Sequence, residues 1–375
     1  MTEKEEKIKK FLDKTNKTYK KKYGADVIYF GSEVQDFKPL KTGFPTFDYG
    51  NSGIGGFPRG GITLIHGAES TGKSSFVLES FAFSQNVVED FSALYIDVEG
   101  SLTKTFLEFK KINPSKITVT RLNCEDALAV AEDSLKENIY DAMCMDSLAK
   151  FESTNVLDKD INESVSRGAR AKMLSEFFRR SIFILRSSNT ALICINQEIE
   201  NQNKKTPYDP PTILPCGKAQ KFAANLRIEL KRSKAIKDGE KKIGYKVSFT
   251  SIKNKISNKE KTMTYLTYLY DRGFVRELSL LDYLITIDYV KKLPMNRFEF
   301  VDKNLYPDPF KPGQMIAVAN RIKEANNLDL FSIEPNENSL FEKNESAGDI
   351  PTSDEINAVE DLENIQNSEL EKLES

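Results

Sequence analysis

The 375 residues carry a net charge of −2 and 39% hydrophobic content, enough for one large α/β core with a buried sheet and smaller attachments. The single histidine, His66, excludes His-rich metal sites and any Ser-His-Asp triad that does not include it, so catalytic proton transfer falls mainly to a carboxylate. The four cysteines include no C-x-x-C pair, and no run approaches the roughly 18 apolar residues that span a bilayer, so we expect a cytosolic protein with reduced thiols and no membrane partner.

The first unit of the chain, residues 1–35, is predicted to be an N-terminal helical segment that serves oligomerisation. It begins with a lysine-rich stretch in which Ile8, Phe11 and Leu12 lie near helical spacing. An apolar stripe on a short helix generally packs on another surface, here that of a neighbouring subunit, although a solvated helix would be an alternative interpretation.

A phosphate-binding pattern follows the apolar run 61–66. It reads Gly67-Ala68-Glu69-Ser70-Thr71-Gly72-Lys73-Ser74 and matches G-x-x-x-x-G-K-[ST] at every fixed position. The glycines allow successive backbone N–H groups to surround phosphate oxygens, while Lys73 adds a cation and Ser74 a hydroxyl for Mg²⁺. A helix predicted from Lys73 to Val88 would direct its positive N-terminus at the same anion. The sequence therefore predicts an ATP site with Mg²⁺.

From about residue 60 to residue 196, β-rich runs alternate with helical segments, which is typical of a mostly parallel sheet covered by helices. Ligands of such a sheet bind at the carboxyl ends of its strands. After the phosphate loop the predicted elements are strand Ala93–Asp97, strand Lys116–Val119, helix Glu125–Asn138, strand Ala142–Asp146, helix Ser166–Arg186 and strand Ala191–Asn196.

Further along the chain, alternating polar and apolar residues predict two antiparallel strands, Tyr245–Ile252 and Met263–Tyr270, that extend the sheet. The core is expected to span 36–272, followed by a small α-rich unit at 273–330 and an acidic, disordered tail at 331–375. From Glu334 onward the tail contains thirteen acids and two lysines, which leaves the rest of the chain with a net charge of +9. A basic body suggests a polyanion partner for which the tail could compete, although acidic tails are often only solvated.

Polar side chains follow three of the predicted strands at their carboxyl ends. Asp146 ends an apolar strand as a carboxylate that could reach Mg²⁺, and Asp97 and Glu99 follow another strand, where a carboxylate can deprotonate water. Asn196 and Gln197 place an amide near the γ-phosphate. Each of these residues alone could cap a turn, but together after a nucleotide loop they indicate a hydrolytic site.

In their order and spacing these residues resemble the RecA family of ATP-dependent DNA strand-exchange recombinases, including phage relatives of the UvsX kind, over about residues 20–290. The resemblance implies an α/β fold: a RecA-like P-loop ATPase core with a mostly parallel sheet, a small N-terminal helical appendage and a small C-terminal α-rich unit. The segments that carry it are Thr42-Gly43 with Asp48, Gly55–Gly60, the phosphate loop, Ile96–Glu99, Met145–Ala149, Ser188–Gln197, Gly217–Phe222 and Lys253–Ile256.

The resemblance also implies roles for single residues. Glu99 activates water, Gln197 senses the γ-phosphate and Phe106 stacks on adenine. Lys253 and Lys255 reach the ATP site of the adjacent subunit, so that hydrolysis requires a filament. The catalytic set is Glu99, Lys73, Gln197, Lys253 and Lys255; the nucleotide contacts are Gly67, Ala68, Glu69, Ser70, Thr71, Gly72, Lys73, Ser74, Ser75, Phe106 and Asp146; the metal ligands are Ser74 and Asp146.

Two loops, roughly 152–167 and 198–217, are expected from the resemblance to line the filament axis and hold single-stranded DNA. Basic side chains that follow phosphates give affinity with little sequence preference, which homology search requires. An amphipathic helix with a solvated basic face is the alternative for the first of these regions. The second loop departs from the bacterial pattern, with Cys216 before Gly217. The implied DNA contacts are Arg167, Lys172, Ser175, Arg179, Gly217 and Lys231.

The sequence thus predicts a DNA-dependent ATPase that polymerises on single-stranded DNA and catalyses homologous pairing and strand exchange. Its predicted cofactors are ATP and Mg²⁺, and its partners are single- and double-stranded DNA and further copies of itself, with single-strand-binding and loading proteins as further candidates. The divergence from the bacterial pattern, together with the Lys, Asn and Ile bias, favours a phage or otherwise divergent member of the family. We expect it to act in the cytoplasm, which is that of the host if the protein is phage-encoded. The alternatives are a hexameric helicase of the same core fold and an accessory protein that binds ATP and DNA without exchanging strands.

Overall fold

A computed structural model describes residues 2–23, 28–34, 36–122, 124–151, 168–201, 204, 206, 208 and 211–334. No helix within these ranges has both the length and the apolar character needed to cross a membrane. The helices are α1 (Glu3–Tyr23), α2 (Lys73–Val87), α3 (Lys104–Phe109), α4 (Cys124–Glu137), α5 (Ala169–Leu185), α6 (Ala219–Ala223), α7 (Arg276–Thr286) and α8 (Met315–Asn326). The strands are β1 (Pro39–Leu40), β2 (Phe57–Pro58), β3 (Ile62–Gly67), β4 (Ala93–Asp97), β5 (Ile117–Thr120), β6 (Ala142–Asp146), β7 (Ala191–Gln197), β8 (Ile199–Glu200), β9 (Thr212–Ile213), β10 (Leu226–Asp238), β11 (Lys241–Asn254), β12 (Met263–Leu269), β13 (Gly273–Phe274), β14 (Val290–Leu293) and β15 (Arg297–Phe300).

Nine strands form the central sheet in the order β13-β12-β11-β10-β3-β7-β6-β4-β5. The six strands from β10 to β5 are mutually parallel, whereas β11, β12 and β13 are antiparallel to their neighbours. The predicted fold class, α/β with a mostly parallel sheet, is confirmed. Because all six parallel strands run in one direction, their last residues meet at one edge of the sheet, where ligands of such folds bind.

The central strands are buried because helices cover both faces of the sheet. β3, β4 and β6 are near-continuous apolar runs that are buried at every position, as expected for parallel strands covered on two sides. Successive side chains point to opposite faces, so Leu64 packs in the core beside α4 and α5 while Ile65 packs in the core beside α2. This two-sided packing fixes the position of the loop that follows β3.

Two strands of the central sheet, β10 and the two-residue β13, were absent from the sequence prediction. The two predicted antiparallel strands are present within β11 and β12, but β10 lies between them and β3 and joins the antiparallel and parallel parts. Only the first five residues of β10, Leu226–Leu230, pair with β3. The remainder is rich in Lys and Arg and pairs with β11 alone, so its composition gives little strand signal.

The segment after β13 has a hydrophobic core of its own. Side chains from α7, the hairpin β14–β15 and α8 pack together, with Tyr283, Phe300 and Met315 almost fully buried. The predicted α-rich unit therefore also contains a hairpin. The domain boundaries remain predictions, and residues 335–375 of the predicted tail lie outside the described residues.

Asp48 is a buried carboxyl whose raised pKa predicts a pH-dependent contribution to stability. It accepts hydrogen bonds from Thr42 Oγ1 at 2.6 Å and from the Thr42 backbone N at 3.2 Å. Burial raises the pKa of Asp48 from 3.8 to about 8, although the hydrogen bonds from Thr42 act in the opposite direction. The folded state therefore holds one more proton than the unfolded state between these two pKa values.

We expect the variant Asp48→Asn to lose this pH dependence. The contribution of Asp48 to the stability of the parental protein falls as pH rises from 5 to 7. The free energy of unfolding of the parent should therefore decrease, relative to that of Asp48→Asn, by about 1.4 kcal/mol per pH unit. Urea denaturation at pH 5, 6 and 7 measures this difference. Asp36→Asn, which changes an exposed residue, is the control and should follow the parental curve. A constant difference between Asp48→Asn and the parent would show that Asp48 is ionised when buried.

Candidate active site

The phosphate loop connects β3 to α2, and its backbone requires glycine at two positions. A Cβ on Gly67 would lie 2.2 Å from the carbonyl oxygen of Leu230 on the neighbouring strand. Gly72 has a φ of +91°, in the left-handed region that favours glycine. Ala68, Glu69 and Ser70 at the tip are exposed. The loop is therefore an open concavity directly before the N-terminus of α2, which favours an anionic ligand.

Lys73 lies against this loop, with its side chain buried. Its ammonium Nζ donates hydrogen bonds to the carbonyl oxygens of Gly67 at 3.1 Å and Ala68 at 2.6 Å. Burial lowers the pKa of Lys73, while the carboxylates of Asp146 and Glu198 act in the opposite direction. An anion beside Lys73 would therefore stabilise its charged form.

Asp146 and Ser74 bring oxygen atoms together at the start of α2. Ser74 Oγ donates to Asp146 Oδ2 at 2.5 Å, and Tyr95 Oη donates to the same oxygen at 2.5 Å. Burial raises the pKa of Asp146, and the hydrogen bonds from Ser74 and Tyr95 act against it. A carboxylate and a hydroxyl are hard oxygen ligands, so the donor set fits Mg²⁺, which would also compensate the buried negative charge.

The side chains of Glu99 and Gln197 contact each other near the Ser74–Asp146 pair, although Glu99 follows β4 and Gln197 ends β7. Gln197 Nε2 donates to Glu99 Oε1 at 3.3 Å, and Ser147 Oγ donates to the same oxygen at 3.0 Å. Glu99 is exposed, so water can reach its carboxylate. The arrangement can orient a water molecule and accept its proton beside the phosphate loop.

Asp97 and Asn196, the other polar residues of these two strand ends, serve the fold. Asp97 is 2% exposed and accepts from the backbone N–H groups of Ser101 at 3.2 Å and Leu102 at 2.9 Å. Asn196 is fully buried and donates to Gln220 Oε1 at 2.7 Å. The family resemblance implied Glu99 and Gln197, whereas the strand-end pattern alone had left Asp97 and Asn196 open as well. The buried hydrogen bonds of Asp97 and Asn196 are those of structural residues.

Phe106 lies on α3, in the helix that follows the Glu99 turn. Its ring is half-buried, packs against the core beside α2 and stacks at 6.5 Å from the ring of Phe109. The ammonium of Lys110 lies 5.6 Å from its centroid. A partly exposed aromatic face is thus available on this side of the site, and its contact with adenine remains a prediction.

Two residues that the sequence did not single out hold the tip of the phosphate loop. The carbonyl of Ser70 accepts a hydrogen bond from Arg232 Nε at 2.8 Å and another from Tyr245 Oη at 3.1 Å. The Arg232 guanidinium also lies 4.4 Å from the centroid of the Tyr245 ring. Both residues come from the β10–β11 hairpin, which is remote in sequence, so no local signal could identify them.

Lys253 lies on β11 and Lys255 directly after it, two strands away from β3, which leads into the phosphate loop. Lys253 Nζ donates to the carbonyl oxygens of Lys221 at 2.8 Å and Phe222 at 3.0 Å, at the end of α6. Lys255 is exposed. The structure therefore does not bring the two lysines to the other candidate catalytic residues within one protomer.

Several of the expected DNA contacts share one helix face. Lys172, Ser175 and Arg179 are exposed on α5, and Arg179 pairs with Glu176 one turn earlier. Gly217 lies against the start of α5, because a Cβ there would be 3.3 Å from Ala171 Cβ. The described ends of the second loop pair as a short ribbon, β8–β9.

Two further DNA-contact predictions fall elsewhere. Lys231 lies on β10 and forms an ion pair with Glu229 at 2.6 Å. It therefore comes from a different element than the α5 residues. Arg167 and the first loop, 152–167, lie outside the described residues.

Comparisons with known proteins agree with this geometry. Residues 8–275 match the family model described as RecA N-terminal domain. The chain is 31% identical over 278 residues to Protein RecA of Ureaplasma parvum serovar 3, covering 73% of this chain and 81% of that protein. It is 30% identical to Protein RecA of Malacoplasma penetrans, covering 76% and 84%. It is 28% identical to Protein RecA of Porphyromonas gingivalis, covering 75% and 80%.

Proposed function

The chain belongs to the RecA family, and from that premise we propose which of its residues bind ATP, hydrolyse it and contact DNA. The protein is a DNA-dependent ATPase and a homologous recombinase that forms helical filaments on single-stranded DNA and catalyses homologous pairing and strand exchange. The two alternatives weighed from the sequence, a hexameric helicase and a non-exchanging accessory protein, are not favoured.

The triphosphate of ATP is proposed to occupy the loop from Gly67 to Ser74. The observation that carries this assignment is the convergence of Lys73, Asp146, Glu99 and Gln197 around the loop, with direct contacts between Ser74 and Asp146 and between Gln197 and Glu99. These side chains lie at or shortly after the carboxyl ends of four strands, β3, β6, β4 and β7, which meet at one edge of the sheet. Phe106 is proposed to cover the adenine.

Ser74 and Asp146 are the residues proposed to hold Mg²⁺. A bound Mg²⁺ neutralises charge on the phosphate oxygens. Side chains of the protein supply the remaining interactions at this site. Tyr95 fixes the Asp146 carboxylate through its hydroxyl hydrogen bond, and Lys73 brings an ammonium to the loop.

Glu99 is proposed to take a proton from the attacking water. Ser147 holds one of its carboxylate oxygens, which orients the group towards the loop. Gln197 donates to the same oxygen and ends β7, so it can exchange this contact for one to the γ-phosphate. The state of the nucleotide would then alter the position of the chain after residue 197.

The geometry of the sheet supports a role in trans for Lys253 and Lys255. Lys253 pairs with Arg227 of β10, and Arg227 pairs with Leu64 of β3. The phosphate loop begins at Gly67, three residues after Leu64. This places Lys253 about 10 Å from the loop along the strands and about 10 Å across them. The lysines lie towards the amino edge of the parallel strands and the loop lies at the carboxyl edge. We propose that they complete the site of a neighbouring protomer.

A mixing experiment tests this assignment. Lys253→Ala and Glu99→Gln should each reduce hydrolysis stimulated by single-stranded DNA to about a hundredth of the parental rate. A 1:1 mixture should recover about a quarter of the parental rate. At about a quarter of the interfaces between protomers, a Lys253→Ala protomer, which has an intact Glu99, meets the intact Lys253 of a Glu99→Gln neighbour. ATP turnover of preassembled mixtures is the measurement.

The matched control mixes Lys253→Ala with Lys255→Ala. Every interface between protomers then lacks one of the two lysines, so no recovery of ATP hydrolysis is expected. Two results contradict the assignment: no recovery in the first mixture although filaments are visible by electron microscopy, or parental monomers that hydrolyse ATP as fast as filaments on DNA.

The exposed face of α5, with Lys172, Ser175 and Arg179, is proposed to contact DNA phosphates together with Gly217 and Lys231. Basic and hydroxyl side chains on one helix face, next to the glycine turn that ends the second loop, suit a backbone that is bound without regard to sequence. Arg167 belongs to the same proposal, although it lies outside the described residues.

The N-terminal helix α1 is proposed to take part in filament assembly. Phe11 is 58% exposed and Ile8 is 38% exposed, while Leu12 is buried. The apolar stripe is thus largely uncovered in the single chain, and a neighbouring protomer would cover it. Regulation by the acidic tail, single-strand-binding or loading partners and a phage origin remain predictions from the sequence.

A further inference from the structure

Three side chains form a hydrogen-bonded line across neighbouring strands: Arg227 near the start of β10, His66 near the end of β3, and Glu198 directly after β7. Arg227 Nε donates to His66 Nε2 at 3.0 Å, and His66 Nδ1 lies 2.9 Å from Glu198 Oε1. The His66 side chain is 2% exposed and that of Glu198 is 12% exposed. His66 is the last residue before Gly67, and Glu198 is the first residue of the second loop.

The protonation state of this line follows from its contacts. Nε2 of His66 accepts from a guanidinium, so the single proton of the neutral ring resides on Nδ1 and is donated to Glu198. Burial lowers the pKa of His66, and the hydrogen bond from His66 lowers the pKa of Glu198. Glu229 also faces the ring and is paired with Lys231. At neutral pH the line therefore consists of the Arg227 cation, the neutral His66 ring and the Glu198 anion. The direction of each hydrogen bond in it is fixed.

Glu198 joins the base of the second loop to the strand that carries the phosphate loop. Its backbone N donates to the carbonyl of Gly67 at 3.1 Å, and its Oε2 accepts from Thr212 Oγ1 at 3.1 Å. Thr212 begins β9, the return strand of the ribbon β8–β9. One residue thus contacts His66, Gly67 and both strands at the base of the ribbon.

Gln197 and Glu198 are consecutive but are held by different parts of the molecule. Gln197 contacts Glu99 at the proposed site of hydrolysis, whereas Glu198 contacts His66 and Thr212. Successive side chains of an extended chain point to opposite sides. A movement of Gln197 would therefore be transmitted to the ribbon around the anchored residue 198.

We propose that the His66–Glu198 pair, oriented by Arg227, is a pivot for the ribbon β8–β9 and sets how strongly the nucleotide controls DNA affinity. The inference rests on the proposed function, because it takes Gln197 as the γ-phosphate sensor and 198–217 as a DNA loop. His66, Glu198 and Arg227 are positioning residues. They act through Gln197 and the ribbon and contact neither the nucleotide nor the reacting atoms.

The experiment measures binding of a fluorescein-labelled oligodeoxythymidylate with Mg²⁺ and either ADP or a slowly hydrolysed ATP analogue. The quantity of interest is the ratio of the two affinities. Glu198→Ala should reduce this ratio about tenfold, and His66→Phe, which breaks the pair from the other side, should do the same. Glu198→Gln keeps an oxygen acceptor for Nδ1 and should stay within about twofold of the parental ratio. Glu240→Ala removes an exposed acid at the β10–β11 turn and is the control for lost charge.

The outcomes separate the pivot from simpler explanations. If Glu198→Ala lowers the melting temperature and weakens DNA binding equally in both nucleotides, the pair is only structural and the pivot is refuted. If Glu198→Gln lowers the ratio of the two DNA affinities as much as Glu198→Ala does, the charge of residue 198 and not its geometry is responsible. That result also refutes the pivot. A parental protein with equal DNA affinity in both nucleotides would overturn the proposed function together with the pivot.

Discussion

Replacing Lys73 with alanine is expected to abolish ATP-dependent filaments and to reduce ATP hydrolysis at least about a hundredfold. Lys73 is buried against the phosphate loop and holds the carbonyls of Gly67 and Ala68. Its removal takes away the ammonium that balances phosphate charge and leaves those two carbonyls without this donor. Both changes weaken binding of the triphosphate, so loss of filaments and loss of turnover should occur together.

Filament formation by electron microscopy and turnover on single-stranded DNA are the two measurements. Lys104→Ala is the matched control, because Lys104 is an exposed lysine whose contact is a 3.6 Å ion pair with Glu108 on the same helix. The control should behave as the parent does. Normal strand exchange by Lys73→Ala, with a folded variant shown by circular dichroism, would remove Lys73 from its assigned role.

The variant Glu99→Gln should separate binding from hydrolysis. The amide keeps an oxygen that can accept from Ser147 Oγ, but it cannot take a proton from water, so turnover should fall about a hundred- to a thousandfold. ATP binding does not depend on that proton transfer. We therefore expect the variant to form filaments with ATP that persist on DNA instead of dissociating.

Dissociation of fluorescent single-stranded DNA after dilution, measured alongside turnover, checks this expectation. Glu108→Gln changes an exposed acid on α3, away from Ser147 and Gln197, and should leave both rates unchanged. Hydrolysis by Glu99→Gln at the parental rate would exclude Glu99 as the base. Rapid dissociation despite blocked hydrolysis would instead show that the ATP state is not what retains DNA.

The sequence was sufficient for the parts of the site that are local in the chain. The phosphate loop and the strand ends at Asp146, Glu99 and Gln197 are short patterns next to apolar runs, and parallel strands bring such ends to one edge. The choice between Asp97 and Glu99 could not be made in the same way. Both follow one strand, and only the structure shows that the Asp97 carboxylate is bound by backbone N–H groups.

What the sequence missed depends on contacts between remote segments. The β10–β11 hairpin places Arg232 and Tyr245 on the carbonyl of Ser70, more than 160 residues away along the chain in the case of Arg232. The single histidine, His66, is buried in β3, but its partners are Arg227 on β10 and Glu198 directly after β7. Composition and periodicity report burial within a segment and carry no information about which distant side chain meets it.

The proposed role in trans of Lys253 and Lys255 has a consequence for any polymer of this chain. If each copy offers its phosphate loop as a nucleotide cradle and its two lysines to the next copy, the copies must stack with a single polarity. At one terminus a cradle is left with no donor, and at the other terminus a pair of lysines is left with no cradle. The number of complete sites is then one fewer than the number of protomers, and the two tips of the polymer differ in their capacity to turn over ATP.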